Sequence, residues 1–207
     1  MMKLSDNTCL LTGATGGIGK AIAETLSNQG CSLILVGRDE TALETLNESL
    51  GGRHQCLIVD IASEDGISTI SETVSSNNAI NLIIQAAGSA SFSSFTSQTM
   101  QHIKDTINLN LTVPMMLSKA IIPSLIGRKQ ACLINVGSAF GSIGYAGYSS
   151  YCASKFGLRG FTESLHREYS SDQINIKYFA PRATQTSFNS SAVDAMNKKL
   201  GNKIDFG

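Results

Sequence analysis

The sequence predicts an α/β protein, a doubly wound parallel sheet with helices on both faces. Three observations predict it. Short apolar runs of strand type alternate, six times, with segments whose apolar residues fall at helical spacing. Runs such as Leu33-Ile34-Leu35-Val36 and Leu82-Ile83-Ile84 are continuously apolar, the pattern of strands buried on both sides. A glycine-rich turn stands between the first run and the first helical segment. Right-handed crossovers then wind the units into one sheet.

The elements follow in order. Thr8–Leu11 is the first strand, and Ile18, Ala21, Ile22 and Leu26 mark one face of the helix after it. Ser32–Val36 is the second strand. Asp39 is placed to cap a helix through Leu50, with Ala42, Leu43 and Leu46 inward. Gln55–Val59 is the third strand, and a helix from about Ser63 gains from Glu64 and Asp65 in its first turn. Asn81–Ala86 is the fourth strand. Thr99 to Ser124 reads as one long helical stretch with Pro114 as a kink point. Ala131–Val136, a helix over Tyr148–Tyr169 and Ile174–Phe179 complete the series. Serine-rich stretches after the fourth and sixth strands read as loops.

Composition narrows the function classes. The 207 residues suit one domain, taken as 1–207 with a substrate-loop segment at 184–201. Sixteen Lys and Arg balance 16 Asp and Glu, which argues against wholesale nucleic-acid or anionic-membrane binding. Five scattered cysteines without CxxC spacing read as reduced thiols, and three histidines without ligand spacing leave no expected metal. No apolar run approaches the roughly 18 residues of a membrane span, and Asp6 and Asn7 break any signal-peptide pattern. The expected location is the cytoplasm.

The turn Thr12-Gly13-Ala14-Thr15-Gly16-Gly17-Ile18-Gly19 lies between strand and helix. Glycines there let the main chain approach a pyrophosphate, whose charge the helix N-terminus favours. The stretch fits both Gly13-x3-Gly17-x-Gly19 and Gly13-x2-Gly16-x2-Gly19, and the turn alone does not choose between them. A tight turn without a ligand would use the same glycines. The second strand ends Val36-Gly37-Arg38-Asp39. A carboxylate at that end would bind a ribose hydroxyl. A guanidinium suits a 2′-phosphate through two parallel hydrogen bonds. Arg38 therefore points to NADP, with NAD the lesser candidate. Asp60 closes the third strand before Ile61.

Tyr151 and Lys155 stand four residues apart, one turn of a helix. An ammonium near a phenol lowers its pKa and fits it for proton transfer at neutral pH. Ser138 follows the fifth strand, 13 residues before Tyr151, where a hydroxyl can orient a carbonyl. Asn110 lies in Asn108-Leu109-Asn110-Leu111-Thr112, with Asn108 as its rival. The glycine turn, Asn110, Ser138, Tyr151 and Lys155, in this order and spacing, resemble the classical short-chain dehydrogenase/reductase family over about residues 5–190.

The resemblance implies a Rossmann-type fold and hydride transfer between NADP(H) and a carbonyl or secondary alcohol. It implies that Tyr151 is the acid or base and that Ser138 polarises the carbonyl. Lys155 would tune Tyr151 and grip the ribose, and Asn110 would help hold a water leading from Lys155 to solvent. It assigns the cofactor to Gly13, Thr15, Gly16, Gly17, Ile18, Gly19, Arg38, Asp60, Ile61, Ala87, Gly88, Tyr151, Lys155, Pro181 and Thr186. It implies a homodimer or homotetramer built on the long helices.

The chain departs from the family pattern at Arg182 in Pro181-Arg182, where relatives have Pro-Gly. It departs again at Gln85-Ala86, where relatives carry two asparagines that brace the sheet. Relatives also continue to a seventh strand, so six strands are expected here. Phe92, Phe95, Phe140, Tyr145, Tyr148, Phe188 and Met196 are candidate pocket walls that suit an apolar ketone or 3-oxoacyl group, and core or lid packing would use the same residues. The alternative is a non-catalytic NADP(H)-binding sensor or scaffold, against which Ser138, Tyr151 and Lys155 count. The family's extended branch of epimerases and dehydratases needs an added substrate domain for which this chain is short.

Overall fold

Apolar side chains alternate across strand β1 (Thr8–Thr12), and that alternation sets up two cores. The computed structural model describes residues 3–171 and 174–181. Within them the chain runs β1, α1 (Gly17–Asn28), β2 (Ser32–Gly37), α2 (Glu40–Ser49), β3 (Gln55–Ile58) and α3 (Glu64–Ser76). It continues through β4 (Ile80–Gln85), α4 (Met100–Ile107), α5 (Val113–Leu125), β5 (Cys132–Val136), α6 (Ser149–Glu168) and β6 (Asn175–Phe179). The six strands are all parallel, in the order β3-β2-β1-β4-β5-β6. This is the expected doubly wound, Rossmann-type sheet.

Cys9 and Leu11 face one side of the sheet, with Leu33, Leu35, Leu82 and Ile84, and pack under Ala23 and Leu26 of α1 and Leu43 and Leu46 of α2. Leu10 faces the other side with Ile34, Val36, Ile83, Leu133 and Ile176, beneath α3 and α5. Both faces are dry, which is why the strands read as continuous apolar runs.

Local chemistry sets the helix starts. The Asp39 carboxylate accepts from Ala42 N at 3.0 Å, and the Ser63 hydroxyl accepts from Gly66 N at 3.0 Å, so both act as N-caps. The C-terminal end of α3 is held by Arg128. Its guanidinium donates to the carbonyls of Val74, Asn77 and Ile80 at 2.7 to 3.0 Å.

One sequence expectation is corrected and one departure from the family pattern takes a definite form. The stretch from Thr99 to Ser124 is not one helix kinked at Pro114. It is α4 and α5 joined by a π-type turn over Asn108–Thr112, and Pro114 sits harmlessly in the first turn of α5. The sheet brace supplied by the family's paired asparagines is also rerouted. Gln85 Nε2 donates to Ser118 Oγ at 2.9 Å and to the Pro114 carbonyl at 3.3 Å, tying β4 to α5. The five cysteines are free, as expected. Among the described residues there is no metal-ligating cluster and no helix long and apolar enough to cross a membrane.

Candidate active site

Apart from Asn110, in the π-type turn between α4 and α5, the functional residues predicted within the described range lie at the carboxyl end of a strand or in the loop or helix that follows it. That is where a doubly wound sheet opens a crevice, at the point where the strand order reverses between β1 and β4. A cavity of about 520 Å³ occupies that point. Gly13, Thr15 and Gly16 of the glycine turn, Arg38, Asp60, Ile61, Ala87 and Gly88 line it, as the sequence predicts. Gly17, Ile18 and Gly19 begin α1 behind the turn. Sequence reasoning missed Ser89, Asp105 and Leu109 and weighed Asn108 only as the rival of Asn110; all four line the same cavity. The segment from Asp105 to Leu109 reaches the crevice only through the tertiary fold.

The glycine turn fits a dinucleotide for a visible reason. Gly13 has φ +66°, and a Cβ there would lie 2.6 Å from Ala87 Cα. The main chains of the β1 and β4 loops touch at this position, leaving the N-terminus of α1 bare toward the cavity. Arg38 is exposed at the rim, free of Asp39, whose carboxylate is spent on the α2 cap. Asp60 follows β3 by two residues. It lines the cavity while its carboxylate accepts from Ala62 N at 3.0 Å.

Lys155 adjoins the inner wall of the cavity. Its Nζ donates to the Val136 carbonyl at 2.9 Å, and a Cβ on Gly88 would stand 3.6 Å from it. The side chain is 4% exposed and has no carboxylate partner among the described residues, and burial pulls its pKa down to about 8. A buried cation facing a cleft is suited to polar ligand groups such as ribose hydroxyls. Together with the turn, this set of donors fits a bound nicotinamide dinucleotide.

Tyr151 lies on the same helix, with the Lys155 Nζ 5.8 Å from its ring centroid. The sequence led us to expect a phenol acidified by lysine. In this structure burial pushes the Tyr151 pKa up, and the opposing pull comes from the Ser138 hydroxyl facing it. The ammonium is turned to Val136 instead. The Ser138 Oγ accepts from Phe140 N at 3.1 Å, which leaves its own proton free to donate.

Asn110 is fully buried in the π-type turn. Its Oδ1 accepts from Ser89 N at 2.9 Å, and its Nδ2 donates to the Ser89 carbonyl at 2.7 Å and to Ser154 Oγ at 3.2 Å. Both ends of the amide are engaged in bracing the turn after β4.

Tyr151 also meets aromatic neighbours. Phe140 stacks on Tyr145 at 4.8 Å, and Phe92 meets Tyr148 edge-on at 5.3 Å. Phe140 approaches Tyr151 at 6.3 Å. Pro181 closes the described chain just after β6. Thr186, Arg182, Phe188, Met196 and the 184–201 segment lie outside the described residues.

A glycine turn on a sheet crevice, a buried lysine behind the Gly88 wall of that crevice, and a serine and tyrosine facing each other after β5 and on α6 are the features of an NAD(P)-binding oxidoreductase. Residues 7–197 match the short chain dehydrogenase family, and the chain belongs to it. Among curated relatives, the 3-oxoacyl-[acyl-carrier-protein] reductase FabG of Haemophilus influenzae is 30% identical over 199 residues, covering 96% of this chain and 82% of the relative. Nodulation protein G of Rhizobium meliloti is 31% identical over 205 residues, covering 99% and 82%. Among solved structures, a short-chain dehydrogenase from Sphingobium yanoikuyae in complex with NADPH superposes with a TM-score of 0.82. It is 27% identical and is covered to 76% by 96% of this chain.

Proposed function

We propose that this oxidoreductase is an NADP(H)-dependent carbonyl reductase, and in reverse an alcohol dehydrogenase, acting on a 3-oxoacyl thioester or another apolar ketone. The observation that carries the reading is the Tyr151 phenol set against the Ser138 hydroxyl, with the buried, unpaired Lys155 ammonium behind it. The nicotinamide, when bound, supplies or accepts the hydride. Tyr151 gives its proton to the carbonyl oxygen, or takes it from the alcohol. The free Ser138 proton donates to the same oxygen and orients it. Lys155 binds ribose hydroxyls. The glycine turn and the N-terminus of α1 hold the pyrophosphate, and Arg38 holds the 2′-phosphate.

The aromatic wall of Phe92, Phe140, Tyr145 and Tyr148 supports an apolar substrate, as does the name of the Haemophilus relative. A homo-oligomer and a cytoplasmic location belong to the same reading. Met115 and Met116 on α5 and Phe156 on α6 are exposed apolar side chains on the helices expected at the interface. Light scattering should then give two or four times the mass of one chain.

The test is binding and turnover together. Wild type should bind NADPH at least tenfold more tightly than NADH, and Arg38→Ala should bind the two about equally, since the lost pair is worth about 1.4 kcal/mol or more. NADPH should be consumed with acetoacetyl-CoA by wild type and not by Tyr151→Phe. Equal affinities in wild type would remove the NADP assignment. No NADPH consumption across a broad carbonyl panel would favour the sensor.

A further inference from the structure

We propose that Tyr178, on β6, is a positioning residue that fixes Ser138 for the reaction; this rests on the role given to Ser138 above. The Tyr178 hydroxyl accepts from the Ser138 main-chain N–H at 3.1 Å and donates to the Ser138 carbonyl at 3.2 Å. One phenol thus holds both main-chain polar groups of the residue whose side chain faces Tyr151.

The need for such a clamp follows from the register. β5 and β6 pair from Cys132↔Asn175 to Val136↔Phe179, and the Gly137 N–H adds a last ladder bond to the Phe179 carbonyl at 2.7 Å. Beyond Gly137 the ladder ends. The Ser138 N–H, in extended backbone with φ −161°, then has no strand carbonyl to meet. An unmet N–H in a part-buried site costs free energy and leaves the serine loose. Tyr178 reaches back from β6 and takes that place.

The surrounding sequence is fitted to the ring. A Cβ on Gly137 would overlap the Tyr178 ring, and a Cβ on Gly141 would overlap its hydroxyl. Glycines on both sides of Ser138 therefore make the space the phenol occupies. Tyr178 belongs to none of the apolar cores and lines a groove of about 360 Å³ with Thr162, Glu163, Arg167 and Ile176. Burial keeps the phenol protonated, so it remains both donor and acceptor.

The test is Tyr178→Phe, which keeps the ring and removes only the clamp. In wild type and variant we would measure NADPH affinity, kcat and KM with acetoacetyl-CoA, and hydrogen exchange of individual amides. The expected result is about a tenfold fall in kcat, with KM and NADPH affinity within twofold. The Ser138 amide should exchange at least tenfold faster while Ile134 and Asn135 are unchanged. In a Ser138→Ala background the same substitution should leave kcat unchanged, since a residue that acts only through the serine hydroxyl has nothing left to position. An unchanged Ser138 exchange rate, an unchanged kcat, or an equal further loss in the Ser138→Ala background would overturn the proposal. So would loss of NADPH binding along with activity, which would make the clamp a fold element. If Ser138→Ala alone turns over like wild type, the role given to Ser138 fails first and takes the clamp's catalytic meaning with it. The exchange data would still report the bond itself.

Discussion

Burial acts on Tyr151 and Lys155 in chemically opposite directions. It raises the phenol, keeping it protonated, and lowers the ammonium to about 8, bringing it near neutrality in mild alkali. Carbonyl reduction needs the protonated phenol and alcohol oxidation the phenolate. Reduction should therefore hold through neutral pH and decline in alkali, while oxidation climbs over the same range. Tyr151→Phe should lower both by about 10² to 10⁴, which initial rates from pH 6 to 10 would check. Lys155 also sets up a conflict between stability and activity. Its folded pKa lies below its ordinary value, so the unfolded chain holds the extra proton between about pH 8 and 10.5. Stability from this group rises with pH across that window, and the full penalty, about 3 kcal/mol, applies below it. Lys155→Met should lose activity yet melt no lower than wild type at pH 7 in the absence of cofactor, the gap narrowing as pH rises past 8. Scanning calorimetry at both pH values decides it. The identities of this pair were legible from their spacing. The direction of the phenol's shift was not, because it depends on where Nζ points, and Val136 takes it.

Elements show the same division between local and distant causes. The Asp39 cap was readable because a cap and its N–H lie within three residues. The π-type turn was not, since it is fixed by Asn110 bonds to Ser89 and Ser154, 21 and 44 positions away. Arg128 was likewise invisible, its three carbonyl partners lying some fifty residues upstream. Arg128→Ala should destabilise the fold by about 2 kcal/mol, because charged hydrogen bonds to the end of α3 are lost. Turnover per folded molecule should stay unchanged. Urea unfolding alongside kcat measures both.

At the scale of the molecule, the dinucleotide crevice is lined from both halves of the sheet, by loops after β1, β2 and β3 on one side and after β4 on the other. A ligand that spans them binds only the folded chain. At 100 times its Kd, NADPH should add about 2.7 kcal/mol, a rise of roughly 5 to 10 °C in Tm for a chain of this length. NADH at the same concentration should add less. Thermal shift against concentration of each nucleotide gives the comparison.

Where Gly13 meets Ala87, a single missing methyl group lets the two halves press main chain on main chain. That abutment works as a hinge pin. The seat for the phosphates and the shelf carrying Gly88 toward Lys155 cannot drift apart independently. Even the smallest added side chain at 13 would therefore wedge open both at once, and the damage would be felt at the nicotinamide end as well as at the turn itself.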